Sequence, residues 1–516
     1  MAAEPLLRPG DTCWRLAATR RLKFLVDYQD YFDALRLALS KARRSIHILS
    51  WGFDPRARLA PDGSREHASR DHGAPDEIGR TLIELTRANP DLDARLLIWQ
   101  SALPISATQD FFPHRAKAWF KDTGVRFQLD AEVPFGACHH QKVVVIDDAL
   151  AFIGSGDITG DRWDTQAHPD REVRRRTPDG GFHPPRHEVM AMLDGPAAAA
   201  LGELFRTRWQ ASTGEPPTPP PPGETECWPA ELVADIEGAS VGIGRTFPAW
   251  RDSVGSDEIS RLNLAAIAAA RQLIYLENQY FASPIVAEAL AERLMDPDGP
   301  RIVLVSSHRS PSYFDRLTMD RTRSVALWRL KAADIFGRFH AFAPYTDGGR
   351  PIIVHAKTMV VDDRLLRIGS ANLNNRSEGF DTECELALEA ATPAEASAVQ
   401  RYADGLAGHW LGLGAAGMAE ARTAHGDLGE VMRALGGGGR LRPLKPMFLG
   451  PFGEFVAAFH IGDPTDPQDS WRPLRRRERL YSRVRAQKQA AIPTAESPPP
   501  TANDPTPSAR AGRTAP

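Results

Sequence analysis

The chain has 516 residues, too many for one hydrophobic core, and the length fits two similar domains with some tail. A composition of 42% hydrophobic and 25% charged residues is that of an ordinary soluble globular protein. With 63 basic against 66 acidic residues, the formal charge of −3 argues against a dedicated nucleic-acid binder, so no nucleic-acid partner is expected.

In chain order, the N-terminus (Met1-Ala-Ala-Glu-Pro5) lacks a basic stretch followed by an apolar run, and no Sec signal is expected. Residues 41–53 read as the end of an amphipathic helix running into an apolar strand, and 94–99 as a second buried strand. His139-His-Gln-Lys-Val-Val-Val-Ile-Asp147 follows, with a strand over its apolar run. The proline-dense stretch Thr213–Gly223 reads as an extended linker or surface loop. The pattern then repeats: 269–281 aligns with 41–53, 300–305 with 94–99, and His355-Ala-Lys-Thr-Met-Val-Val-Asp362 with the earlier motif. Gly436–Gly439 reads as a flexible loop, the arginine-rich stretch 472–488 as a solvated helix face, with contact to anionic lipid as the lesser alternative, and 490–516 as disordered.

Alternating helices and apolar strands predict an α/β fold: two similar α/β/α sandwich halves with mixed sheets, related by a pseudo-twofold, with the active site at their interface. The expected divisions are 1–212, a linker at 213–228, 229–489 and a tail at 490–516. The four cysteines (Cys13, Cys138, Cys227, Cys384) show neither zinc spacing nor disulfide density and read as reduced. No stretch approaches ~18 uninterrupted apolar residues, so any membrane contact is expected to be peripheral. The expected location is cytoplasmic or peripheral on a membrane, with non-classical export left open.

Each motif copy reads H-x-K-x-x-x-x-D and is followed by Gly-Ser at the same offset, Gly154-Ser155 and Gly369-Ser370. On a strand, residues two apart share a face, so His140 lies beside Lys142 and His355 beside Lys357. Asp147 and Asp362, at an odd offset, face elsewhere and belong to the turn. Two histidines, two lysines and nearby hydroxyl and amide donors, without a metal cluster, suit a phosphodiester. One neutral imidazole attacks phosphorus and the other, protonated, serves the leaving oxygen. The lysines with Ser370 and Asn372 would hold the phosphate oxygens. Each histidine then needs a carboxylate to set its tautomer.

These residues resemble the phospholipase D superfamily, whose hallmark is the duplicated motif. The resemblance covers roughly Leu22 to Leu411 and extends to Gly156–Thr165 with His168-Pro169, to Glu277–Phe281 and to Ile368–Ser377. It is nearest to the true phospholipases D. Without a C2 or PX/PH module ahead of this region, a compact bacterial-type member is expected. The resemblance implies a catalytic group of His140, Lys142, Asp147, His355, Lys357, Asp362, Glu188 and Glu383. His140 would be the nucleophile and His355 the general acid. Glu383, preferred over Glu385, would face His140, and Glu188 would face His355. Ser155, Asp157, Ser370 and Asn372 would bind phosphate. Arg162, Trp163 and Asp164 are headgroup candidates, though Trp163 reads equally as packing. His139 and His168 are expected to be supporting, and Cys138 a core residue.

The implied activity is hydrolysis of the distal phosphodiester bond of a glycerophospholipid, with possible transphosphatidylation. The alternatives are a cardiolipin- or phosphatidylserine-synthase-type transferase, a nuclease of the same superfamily, or an inactive scaffold. No metal or other cofactor is expected. The expected partner is a phospholipid surface, and a monomer is expected because both motifs lie in one chain.

Overall fold

The computed structural model describes residues 4–62, 76–101, 113–221, 226–436 and 439–491. The tail expected to be disordered lies outside the described residues, except that its first two residues end the helix Pro473–Ala491. The middle of the glycine loop at 436–439 also lies outside them.

The first half carries β1 (Arg15–Val26), β2 (Ser45–Ser50), β3 (Asp93–Trp99), β4 (Val125–Asp130), β5 (Val143–Ile146), β6 (Leu150–Gly154), β7 (Arg186–His187) and β8 (Val189–Asp194). The second carries β9 (Ile236–Phe247), β10 (Ser256–Asp257), β11 (Leu273–Asn278), β12 (Arg301–Val305), β13 (Phe339–Pro344), β14 (Ile353–Val354), β15 (Lys357–Val361), β16 (Leu365–Gly369), β17 (Glu383–Glu389) and β18 (Leu441–Pro443). Strand order across the first half is β1-β8-β6-β5-β2-β3-β4. Across the second it is β9-β17-β16-β15-β11-β12-β13, with β18 at the edge. The orders match strand for strand, and the motif strands β5 and β15 are equivalent. Both halves are mixed, with β2-β3-β4 and β11-β12-β13 parallel.

The two α/β/α halves are present, and β1 pairs antiparallel with β9 to merge their sheets into one of 16 strands. Val143 and Val145 pack into one core layer, Val144 and Ile146 into another. Burial on both faces is why the motif strand is apolar without alternation. The first layer is common to both halves, with Leu201 and Phe205 from helix Pro196–Thr213 and Val399 and Leu406 from helix Pro393–Leu411. The opposite face holds separate cores.

The halves also exchange segments, which corrects the expected divisions. Leu6, Leu7 and Cys13 pack in the second half's core, and the backbone N–H groups of Leu6 and Leu7 donate to Glu389 at the end of β17. Cys227 and Trp228, expected in the linker, are buried in the first half's core. Among the described residues, no helix is long and apolar enough to cross a membrane.

Candidate active site

Two short backbone contacts bring the motifs together. Ahead of β15, β14 pairs in parallel with β7, and the His355 N–H donates to the His187 carbonyl at 2.9 Å. Ahead of β5, His139 bridges Thr382, and the His140 N–H donates to the Thr382 carbonyl at 2.9 Å. In each case the residue after the bridge is a glutamate of the opposite half. His140 Nδ1 therefore lies 2.9 Å from Glu383 Oε2, and His355 Nδ1 lies 2.9 Å from Glu188 Oε2. Glu385, the competing candidate, instead pairs with Arg367 inside the sheet.

The lysines return to their own motif histidines. Lys142 Nζ donates to the His140 carbonyl at 2.9 Å, and Lys357 Nζ to the His355 carbonyl at 2.7 Å. Lys357 also reaches Gln279 Oε1 at 3.2 Å. All four motif side chains share one electrostatic environment. Burial, and then the Lys142 and Lys357 charges, hold His140 well below the usual imidazole value. Burial, then Lys357, Arg162 and Arg186, do the same to His355. Burial pushes Glu383 up to about 7 and also raises Glu188. Lys357 is lowered to about 7, again chiefly by burial. Desolvation thus dominates, and it favours a neutral, nucleophilic imidazole at His140.

The Gly-Ser tails serve the glutamates. A Cβ on Gly154 would lie 2.6 Å from the Val189 carbonyl, and one on Gly369 2.7 Å from the Cys384 carbonyl, so only glycine lets the next strand pass. The following serines are buried and their hydroxyls are committed to these glutamates: Ser155 Oγ donates to Glu188 Oε2 at 2.7 Å, and Ser370 Oγ to Glu383 Oε2. This corrects their expected role as phosphate ligands.

A family model described as "Cardiolipin synthase, PLD-like domain" matches residues 264–410. "Phospholipase D alpha 2" of Oryza sativa subsp. japonica is 24% identical, over 71% of this chain and 60% of its own. "Phospholipase D1" of Saccharomyces cerevisiae is also 24% identical, over 71% of this chain and 26% of its own. The chain is thus similar to proteins of the phospholipase D superfamily. It spans 60% of the length of the rice relative. The fold is similar to that of the phosphatidylserine synthase of Haemophilus influenzae Rd KW20, with a TM-score of 0.52 and 13% identity, covering 92% of this chain and 97% of that one.

Further corrections follow from the structure. Asp147 and Asp362 do not join the cluster. Each sits past the end of its strand with φ of 54° and 55° and accepts backbone N–H groups, from Arg43, Arg44 and Ser45 in one half and Arg271, Gln272 and Leu273 in the other. They tie the motif strand to the start of its antiparallel neighbour, β2 in one half and β11 in the other. Asp157 is an anion, not a phosphate ligand. Against the cost of burial, the Lys142 charge holds it below the usual carboxylate range, with Nζ 3.4 Å away. Its equivalent Asn372 keeps a side-chain oxygen with no hydrogen-bond partner.

Trp163 is buried in the first half's core, beneath the Arg174 guanidinium. Asp164 is fully buried and bonded to His168 Nδ1 and the Arg186 N–H, so neither lines a headgroup pocket. Arg162 donates to Thr159 at 2.8 Å, and its charge reaches Glu188 and His355. His139 supports the site through Thr382 and Asp130, and burial pushes the Cys138 thiol well up.

Two contributors were not assigned from sequence: Gln279 on Lys357, and Ser377, whose hydroxyl donates to Glu383 Oε1 at 2.6 Å. Both lie in segments that carry the family resemblance, which was the available signal.

Proposed function

We propose that this protein is a phospholipase D that cleaves the distal phosphodiester bond of a glycerophospholipid, releasing phosphatidic acid and an alcohol such as choline. The observation that carries this reading is the crossed pair of histidine–glutamate contacts, His140 with Glu383 and His355 with Glu188. Each glutamate accepts a hydrogen bond from Nδ1–H, which fixes the tautomer and leaves Nε2 for chemistry.

In the first step, His140 Nε2 forms a bond to phosphorus as the bond to the headgroup oxygen breaks, and His355 gives that oxygen its proton. The anionic phosphodiester is the counter-charge that lets His355 carry a proton despite its burial. In the second step, His355 takes a proton from water, the new oxygen bonds phosphorus and the N–P bond breaks. An alcohol in place of water gives transphosphatidylation. Lys142, Lys357 and Asn372 hold the phosphate oxygens.

A lipid surface as partner is supported by exposed aromatics tied to the site. Phe135, just ahead of the first motif, and Trp471 are exposed, with ring centroids 5.6 Å apart. Phe448, Phe452 and Phe455 are also exposed. The segment that follows them reaches Asp463, which accepts the N–H groups of Asn375 and Arg376 just beyond Asn372. Both motifs in one chain support a monomer as the active unit.

A second reading is a phosphatidyltransferase of the cardiolipin- or phosphatidylserine-synthase type, favoured by the description of the family model over 264–410. The test is incubation with phosphatidylcholine vesicles and ethanol, followed by mass spectrometry. Phosphatidylethanol and phosphatidic acid, both lost in His140→Ala, are expected. Transfer between two lipid substrates without hydrolysis would move the assignment to the second reading. Inactivity on every glycerophospholipid headgroup would sink both.

A further inference from the structure

Outside the histidine–lysine cluster, Asp27, His168, His187 and His409 converge, each offering a ligand atom within 4.8 Å of the others. His168 Nε2 is 3.1 Å from His409 Nε2 and 3.4 Å from Asp27 Oδ2. His409 Nε2 is 3.8 Å from the same oxygen, and His187 Nδ1 is 2.9 Å from Asp27 Oδ1. A tetrahedral ion with ligands at ~2.0–2.1 Å has ligand–ligand edges of about 3.3–3.4 Å, in the middle of this range.

Two further observations point to an ion. Asp27 Oδ2 has no hydrogen-bond partner although the residue is 1% exposed and faces three imidazoles. The outward nitrogens of two histidines are held by buried carboxylates: His168 Nδ1 lies 2.9 Å from Asp164, and His187 Nε2 lies 2.7 Å from Glu277. Glu277 is itself fixed by the Trp410 indole at 2.8 Å and the Tyr275 hydroxyl at 2.6 Å. A carboxylate on the outer nitrogen sets the tautomer whose lone pair points inward, the usual surroundings of a metal-ligating histidine.

We propose that Asp27, His168, His187 and His409 bind one divalent transition-metal ion, zinc by preference, in a closed structural site that braces Glu188. Three imidazoles and one carboxylate suit zinc, whereas calcium and magnesium take oxygen-rich sites. Four protein ligands leave no open position, so the ion has a structural task. Its reach to the active site is short. The Asp27 N–H donates to the Glu188 carbonyl at 2.9 Å, and the Glu188 N–H donates to Asp27 Oδ1 at 3.1 Å. Holding Asp27 therefore holds the residue that orients His355. No cysteine is involved and the ligands come from four separate stretches, so the sequence carries no metal spacing.

The test is metal analysis of the full chain, purified without chelator and without a histidine tag. About one zinc per chain is expected, surviving dialysis. His140→Ala should retain it, and His409→Gln and His168→Gln should lose it. Cobalt added to chelator-treated wild type should develop the visible absorption of a tetrahedral ion and raise the melting temperature, a readout that needs no variant to fold. Two results would overturn the proposal. One is metal-free protein that gives neither the cobalt band nor a thermal shift, which would leave the cluster held by protons. The other is zinc retained in both histidine variants.

Discussion

Glu383→Gln tests the orienting contact directly, because it alters charge and donor pattern while keeping shape. Three donors converge on the two oxygens of Glu383: His140 Nδ1–H, at 3.0 and 2.9 Å, and the hydroxyls of Ser370 and Ser377. An amide offers one accepting atom and one donating group, and lacks the negative charge; a serine hydroxyl can turn to accept from the amide NH2, but His140 Nδ1–H cannot, and it now shares a single neutral acceptor. His140 then loses its partner or takes the other tautomer, which places the proton on the nitrogen meant to attack. The same carboxylate-to-amide change in a serine-protease triad costs about 10⁴-fold in kcat, and a loss of that order is expected here.

Stability should change little. The mispaired donor costs about 1–3 kcal/mol. Against that, burial raises the Glu383 carboxyl from 4.5 to about 7. A raised acid removes stability as pH climbs from its unfolded value through its folded one, between about pH 4.5 and 7. The amide escapes this penalty, so the variant should gain on wild type across that window. The control is Glu385→Gln, which leaves fully buried Arg367 without its partner and should cost about 3–5 kcal/mol of stability. Its turnover per folded molecule should stay within a few-fold of wild type. Choline release from vesicles and thermal melting, measured on both variants, decide the matter. A folded Glu383→Gln with near-normal turnover, or a folded Glu385→Gln without any, would refute the reasoning.

Asp147→Ala should cost about 1–3 kcal/mol in urea denaturation, because three backbone N–H groups lose their acceptor, while turnover below the melting point stays within a few-fold. A severe kcat loss in folded protein would place Asp147 in the chemistry after all. Ser155→Ala should lower kcat about 10-fold with KM for lipid unchanged, since the hydroxyl serves Glu188; a rise in KM alone would restore Ser155 as a phosphate ligand. Lys357, lowered to about 7 by burial, is charged below that pH and neutral above it. Sulfate, a dianion throughout, should bind more weakly as pH rises through about 7, with proton uptake visible by calorimetry in buffers of different ionisation heat. Affinity that is flat from pH 6 to 8.5 would count against a titrating Lys357.

The sequence by itself determined what local pattern can carry. Mostly β-branched, apolar runs mark strands buried on both faces, and a period of two puts each lysine beside its own histidine. The duplicated motif declares two equivalent halves. The odd offset of Asp147 and Asp362 already turned them away from that face, although the family resemblance groups them with the catalytic residues. Tertiary structure decided the rest. Glu383 and Glu385 have the same chemistry and lie on the same face of one strand, yet one meets His140 and the other Arg367. Ser155 and Ser370 look like phosphate donors until the opposite glutamates are seen beneath them. Asp157 looks like a relative of Asn372 until Lys142 is seen beside it. Asp27, His168, His187 and His409 converge only once the halves have joined. Periodicity and turn chemistry act over a few residues, whereas these pairings depend on which strand ends meet when the two sheets join through β1 and β9.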